Sequence, residues 1–308
     1  MLIQRIDILC NIVLRVPEER VRFIVDHIKD FYGEFRRFKR DKQGNLRRNK
    51  PEYVVMNGGE FWARIINPPK HDLKEIQKRI NAYLVKNVPF PDYAFGGVKG
   101  RDNILNARVH KGQKFVFQTD LKDFFPSISN KMVYTMFIEK GFSPDVASLL
   151  TKLTTYEGHL PQGAPTSTTI ANLVFAPAGL EIQAIAKEKC LHFTTFVDDV
   201  TVSSQQDFKS VVPEIIAIIT VHGFRINHGK TTYKSGLSDI TGVKMLNNSL
   251  TVTDKFKRKI AAVDDKETLR VKGMLNYVQR IKKVSTMKPK EFKSRIKGES
   301  NPNRIGGK

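Results

Sequence analysis

Three acids stand out as candidates for chemistry: Asp120, Asp198 and Asp199. Asp120 ends the alternating apolar run QKFVFQTD, and Asp198-Asp199 sit at the centre of HFTTFVDDVTVSS, between Phe196-Val197 and Val200-Thr201-Val202. A strand end and a hairpin tip in one sheet can bring such distant acids together. Three converging carboxylates repel one another and need a counter-charge. A hard divalent cation with oxygen ligands supplies it, and Mg²⁺ keeps coordination positions open for substrate phosphates. Two such ions about 3.5–4 Å apart form the usual clamp for in-line phosphoryl transfer. A second pair, Asp264-Asp265, lies in a charged, helical context and reads as solvated surface.

The elements that must position these acids are legible from periodicity and punctuation. Val21, Ile24, Val25 and Ile28 recur at helical spacing, as do Leu73, Ile76, Ile80 and Leu84. Between them lie a basic stretch, FRRFKRDKQGNLRRNK, and a hairpin signal at Asn57-Gly58-Gly59. A Gly/Pro-rich loop, PFPDYAFGGVKGRDN, precedes the strand that ends on Asp120. Residues 128–153 read as mostly helical, GHLPQGAPTS as a loop, and TTIANLVFAPAGLEIQAIA as helical again. The Asp198-Asp199 hairpin follows, then the helical VVPEIIAIITVHGF, then strands in SDITGVKMLNNSLTV with a turn at Asn247-Asn248. This order is an α+β plan with an antiparallel sheet.

Composition narrows the partners. The chain has 308 residues, 52 Lys and Arg against 31 Asp and Glu, a net charge of +21, and 40% apolar residues. That length buries a full core without disulfide or metal staples. Its two cysteines, Cys10 and Cys190, form no zinc-type spacing. No apolar run approaches the roughly 20 residues of a membrane span. The N-terminal MLIQRIDILCNIVLRV is interrupted by Arg5 and Asp7 with no small-residue cleavage site, so a cytoplasmic protein with no membrane partner is expected. The charge surplus favours a polyanion, with nucleic acid the leading candidate. From Lys255 to Lys308 there are 17 Lys and Arg against 5 Asp and Glu. Phe256, Ile260, Leu275, Tyr277, Val278 and Ile281 interleave with these charges and predict helices with a positive face to about residue 285; beyond Met287 the composition predicts disorder.

Six ordered motifs over about residues 53–246 resemble those of reverse transcriptases. FVDD resembles the YxDD box, with Phe196 in place of the usual Tyr, and FQTDLKDFFPSI resembles the first catalytic motif. LPQGAPTSTTIAN, GFRINHGKT and ITGVKML resemble the palm motifs that follow, and RIINPPKHDLKEIQ resembles a fingers motif. NARVH, from Asn106 to His110, is similar to the N-A-x-x-H motif of retron reverse transcriptases, and Ile240-Thr241-Gly242 to their V-T-G motif. The resemblance implies that Asp120, Asp198 and Asp199 are catalytic and hold two Mg²⁺ ions. It implies that Arg64 grips the triphosphate and that Gln162 and Gly163 meet the incoming nucleotide. Phe125 would exclude a ribose 2′-OH, with Phe124 in the core, and Lys230 would protonate departing pyrophosphate. Asn106 and His110 are expected either to contact RNA or to form a polar clasp within the fold; Lys255, Lys257, Arg258 and Lys259 are expected to bind RNA.

The implied fold is a right-hand polymerase. Residues 1–111 would form N-terminal helices and fingers. Residues 112–250 would form the palm, with finger helices inserted at about 128–158, and 251–308 a basic thumb and tail. The implied activity is RNA-directed DNA synthesis on a structured non-coding RNA, primed from an RNA 2′-OH. It would consume dNTPs, yield a cDNA, and serve anti-phage defence with a separate effector protein. Other bacterial reverse transcriptases, of group II intron or non-retron defence type, share the palm motifs. An RNA-binding scaffold on an inactive polymerase fold is the alternative outside enzymology.

Overall fold

The computed structural model describes residues 2–38, 40, 44–46, 53–56, 59–263 and 268–297. Asn57-Gly58, Asp264-Asp265 and the tail beyond residue 297 therefore lie outside the described residues. The chain forms two compact units. The first comprises residues 1–89 and 125–174, and the second residues 90–124 and 175–308.

In the first unit, strand Gly59–Ile66 is flanked on both sides by antiparallel partners, Phe35–Phe38 and Tyr53–Met56. Helix His71–Asn87 buries Leu73, Ile76, Ile80 and Leu84, the spacing read from sequence. The same face carries Gln77, whose amide donates to the Tyr32 hydroxyl at 2.7 Å and the Leu153 carbonyl at 2.8 Å. These bonds tie that helix to helix Pro144–Thr154. The inserted helical region begins at Asn130–Glu139 and Pro144–Thr154, each opened by a serine cap, Ser129 and Ser143. Helix Ser167–Val174 completes the unit and is nearly all buried.

The second unit is built on an antiparallel sheet of four strands among the described residues. Their spatial order is His192–Phe196, Asp199–Ser204, Phe115–Asp120, Thr232–Ser235. Val116, Phe117, Val200 and Val202 are buried in it, as are Thr194, Thr201 and Ser203, so both faces are covered. Helix Asn103–Val109 packs on strand His192–Phe196, and so does helix Ala176–Glu188, which in turn meets helix Val212–Val221. A smaller sheet of Asp239–Ile240, Val243–Met245 and Leu250–Val252 shares a core with helices Asn103–Val109 and Leu269–Thr286.

The C-terminal segment differs from expectation. Residues Pro289–Lys297 form a helix where composition predicts disorder. Phe292 and Ile296, one helical turn apart, pack against the core cluster of Ile281, Val284 and Met287. The Arg108 guanidinium lies 5.3 Å over the Phe292 ring, and Arg101 donates to the Ile296 carbonyl at 3.2 Å. Two apolar side chains and two arginines outweigh the low mean hydropathy of the segment. No single helix among the described residues is long and apolar enough to cross a membrane.

Candidate active site

Strand register explains how the three acids meet. Asp120 is directly opposite Asp199, which is also opposite Phe196 across the hairpin. The turn itself is Val197-Asp198; Asp199 already belongs to the returning strand. The Leu121 amide donates to the Asp198 carbonyl at 2.8 Å, closing the junction between hairpin and strand end. Carboxylate oxygens of Asp120, Asp198 and Asp199 all lie within 4.8 Å of one another.

The hairpin tip is held under constraint. Val197 has φ +59°, a left-handed conformation that a β-branched side chain rarely adopts. The loop Tyr93–Gly96 supports it from the edge of the sheet. The Thr195 amide donates to the Tyr93 carbonyl and the Phe95 amide to the Thr195 carbonyl, both at 2.8 Å. Gly96 then passes so close that a Cβ there would lie 2.4 Å from the Val197 nitrogen and 2.8 Å from the Phe196 carbonyl carbon. Glycine is required by contact here, because the atoms it touches are backbone. The Gly-rich character of this loop was visible in sequence; its contact with the hairpin was not.

Electrostatics set the three carboxyls apart. Asp120 is 9% exposed and has two side-chain partners: Lys230 Nζ at 2.7 Å from Oδ2, and Asn227 Nδ2 at 3.2 Å from Oδ1. The Asn227 amide also donates to the Asp120 carbonyl at 2.8 Å. Burial first, then the charges of Asp198 and Asp120, push the Asp199 carboxyl up to about 6, and Lys230 only partly opposes them. Lys230 thus bonds to Asp120 and acts on the charge of Asp199. An all-oxygen donor set short of positive charge has the chemistry that hard divalent cations satisfy, so these residues fit a metal centre.

The other residues singled out in sequence fall into three places. Arg64 is an exposed strand residue of the first unit. Gln162 and Gly163 lie in a loop of that unit: the Asn67 amide donates to the Gln162 carbonyl at 2.9 Å, and the Ser167 hydroxyl to the Pro161 carbonyl at 2.6 Å. Gly163 has φ +96°, and a Cβ there would meet Ile66 Cγ2 at 2.5 Å. Phe125 is partly exposed in the short helix Phe124–Ser127, whereas Phe124 is 3% exposed and packs on Phe175 and Phe224. Lys255, Lys257, Arg258 and Lys259 are exposed on helix Asp254–Ala261, with Phe256 turned against Tyr277.

Asn106 and His110 require a correction. Both are buried, at 1% and 0% exposure, so the expected RNA contact gives way to the polar clasp. His110 Nδ1 lies 2.6 Å from the Ser203 hydroxyl and Nε2 2.7 Å from that of Thr194, so the imidazole bridges two strands of the main sheet. Burial pushes its pKa down to about 3, and the ring is neutral. Asn106 Nδ2 donates to the Thr241 hydroxyl at 3.3 Å. That hydroxyl donates to the Asn103 carbonyl at 3.2 Å, and Asn103 Nδ2 reaches both the Thr241 carbonyl at 3.0 Å and the Tyr277 hydroxyl at 2.7 Å. Thr241 has φ +46°, and these bonds hold it there. Asn103 and Tyr277 are members of this network that sequence reasoning did not mark; Asn103 lies three residues before Asn106, one helical turn away.

Three carboxylates thus converge on adjacent antiparallel strands of a helix-backed sheet, beside a lysine that holds one of them. The chain matches the family of reverse transcriptases (RNA-dependent DNA polymerases) over residues 60–273. It is 33% identical over 220 residues to the retron Se72 reverse transcriptase of Salmonella heidelberg, covering 68% of this chain and 58% of that one. It is 30% identical over 236 residues to the retron Ec86 reverse transcriptase of Escherichia coli, covering 73% and 74%. Telomerase from Candida albicans, solved with a fragment of telomeric RNA, shares the fold with a TM-score of 0.50 at 11% identity, over 92% of this chain and 61% of that one. The chain belongs to the reverse transcriptase family and, within it, to the retron type.

Proposed function

We propose that this chain is an RNA-directed DNA polymerase that copies a structured non-coding RNA into DNA. The observation that carries the reading is the Asp120–Asp198–Asp199 cluster on the sheet of a chain belonging to this family. Asp120, Asp198 and Asp199 would hold two Mg²⁺ ions, which when bound supply Lewis-acid stabilisation of phosphoryl transfer. Lys230, 2.7 Å from Asp120, positions that carboxylate and is the acid available to departing pyrophosphate. Arg64 takes triphosphate oxygens as a forked donor. Gln162 and Gly163 line the incoming nucleotide, and the Phe125 ring disfavours a 2′-OH by clash. The working division is fingers at 1–111, palm at 112–250 with inserted finger helices at about 128–158, and thumb at 251–308. Priming from an RNA 2′-OH, a cytoplasmic setting and a role in anti-phage defence beside a separate effector belong to the same proposal. The test is primer extension on an RNA template with dNTPs. DNA synthesis that requires a divalent cation and discriminates against rNTPs is expected; RNA binding without synthesis would replace this reading with that of a scaffold.

The exposed cations of helix Asp254–Ala261 suit a phosphate backbone. Lys257 is partly engaged by Asp254 at 3.4 Å. Each phosphate contact contributes about −0.7 to −0.9 to the slope of log K against log salt. Replacing Lys255, Lys257, Arg258 and Lys259 together with alanine is expected to weaken binding of the partner RNA and to flatten that slope by up to about 3 units. Extension of a simple annealed primer–template should be less affected. A salt titration of wild type and variant on one RNA reads the difference; identical slopes would show that the helix is only a solvated face.

A further inference from the structure

We infer that Arg101 is a positioning residue for the Asp198-Asp199 hairpin, and that helix Pro289–Lys297 acts on the hairpin through it; this rests on the polymerase reading above. The Arg101 side chain is 7% exposed, and its donors are directed at main-chain oxygens. Nη1 donates to the carbonyls of Pro91 at 2.7 Å, Asp92 at 3.2 Å and Ala94 at 2.6 Å, and Nε donates to that of Ile296 at 3.2 Å. Its one carboxylate contact, Asp92 at 3.6 Å, is with a side chain 75% exposed, and such a pair contributes little. The guanidinium also lies 5.7 Å over the Phe95 ring. A buried fork of donors on loop carbonyls fixes the shape of the loop, and a point charge would not.

The loop so fixed is the one that supports the acids. Ala94, whose carbonyl Arg101 holds, forms a parallel bridge with Thr195 at the sheet edge, and Gly96, two residues on, abuts the backbone of Phe196 and Val197. Tyr93 is anchored on the other side, its hydroxyl donating to the Ala176 carbonyl at 3.2 Å and its ring 4.8 Å from that of Phe193. Arg101 thus closes the free side of the loop, and its removal lets Ala94–Gly96 shift against Val197. The C-terminal helix enters at two points. Its Ile296 carbonyl takes the Arg101 Nε, and Phe292 and Ile296 pack on the same apolar cluster as Phe95 and Phe196. All of these residues belong to the second unit.

The experiment uses the full chain as wild type, Arg101→Ala, Arg101→Lys, the double variant Phe292→Ala/Ile296→Ala, and all three alanines together. Single-turnover incorporation on one annealed RNA template and DNA primer is read beside Mn²⁺ binding, measured by electron paramagnetic resonance without nucleotide. Arg101→Ala is expected to lower the rate at saturating dNTP by about tenfold, part of the roughly 10²-fold that a 1 Å misplacement costs, and to weaken Mn²⁺ binding several-fold. KM for dNTP and primer–template affinity should stay within about twofold. Arg101→Lys, which keeps the charge and loses the fork, should recover little. The helix variant should lower the same two quantities by about threefold, and the triple variant should fall by less than the product, because one route carries both effects. A mere staple would lower thermal stability and leave Mn²⁺ affinity untouched in the folded protein. Wild-type rate and Mn²⁺ affinity in Arg101→Ala would overturn the positioning role, and a helix variant without effect, or effects that multiply in full, would overturn the coupling. Should Arg101→Ala not fold, Arg101→Lys and the helix variant decide by the same readouts. A wild type that binds Mn²⁺ and primer–template but adds no nucleotide would overturn the polymerase reading, and the Mn²⁺ measurements would still judge Arg101.

Discussion

Asp120→Asn and Asp198→Asn are each expected to abolish DNA synthesis, by at least about 10³-fold, while RNA affinity stays within a few-fold. Asparagine keeps the shape of the side chain and removes the charge that the cluster offers a divalent cation. Asp120 binds Lys230 and Asn227 as well as facing Asp199, so its loss also releases the lysine. The cations proposed to track phosphates lie elsewhere, on helix Asp254–Ala261, which is why binding and chemistry should separate. Single-turnover incorporation beside filter binding on the same RNA reads both quantities. Near-normal extension by either variant with Mg²⁺ would overturn the metal assignment.

Gly96→Val should be nearly as damaging although residue 96 carries no side chain and no charge. A Cβ at 2.4 Å from the Val197 nitrogen and 2.6 Å from its Cγ2 must move the hairpin tip or the loop. Val197 already sits at positive φ and has little freedom to yield. Displacement of a reacting group by about 1 Å costs on the order of 10²-fold in rate, and that is the loss expected, with secondary structure and RNA binding retained. Gly96→Ala should fall in between. Gly273→Ala is the matched control: its Cβ meets nothing within 4 Å, and alanine favours helix Leu269–Thr286. Wild-type rates in Gly96→Val would mean that the loop yields and the hairpin does not depend on it.

The acids were legible because local pattern determines them. Alternation through FVFQTD and the β-branched flanks of Asp198-Asp199 define two strands with carboxylates at their ends, and pairing register does the rest. Two kinds of feature were hidden. Gly96 and Asn227 matter through atoms that only the tertiary fold brings near, and a glycine in a Gly-rich loop or an asparagine before a turn has no periodicity to reveal its partner. Helix Pro289–Lys297 was obscured for the opposite reason. Its composition is that of a solvated tail, and the i, i+4 pair Phe292 and Ile296 was outweighed by the lysines around it. Asn106 and His110 were recognisable as a motif, but four-residue spacing states only that two side chains share a helical face; it does not state whether that face meets water or a sheet.

The bond between Asn106 and Thr241 has a consequence for inheritance. The two retron-like signatures, NARVH and Ile240-Thr241-Gly242, are linked by a bond between residues 135 apart in the chain and share one half-buried set of hydrogen bonds. Neither signature is a self-sufficient module. A chimera that imports one of them from a distant relative while keeping the other parent's partner strands an amide or a hydroxyl in the interior, at a cost of about 1–3 kcal/mol per unsatisfied group. Crossovers in domain-shuffling experiments should therefore survive when both signatures come from the same parent and fail when they do not, even where every catalytic residue is retained.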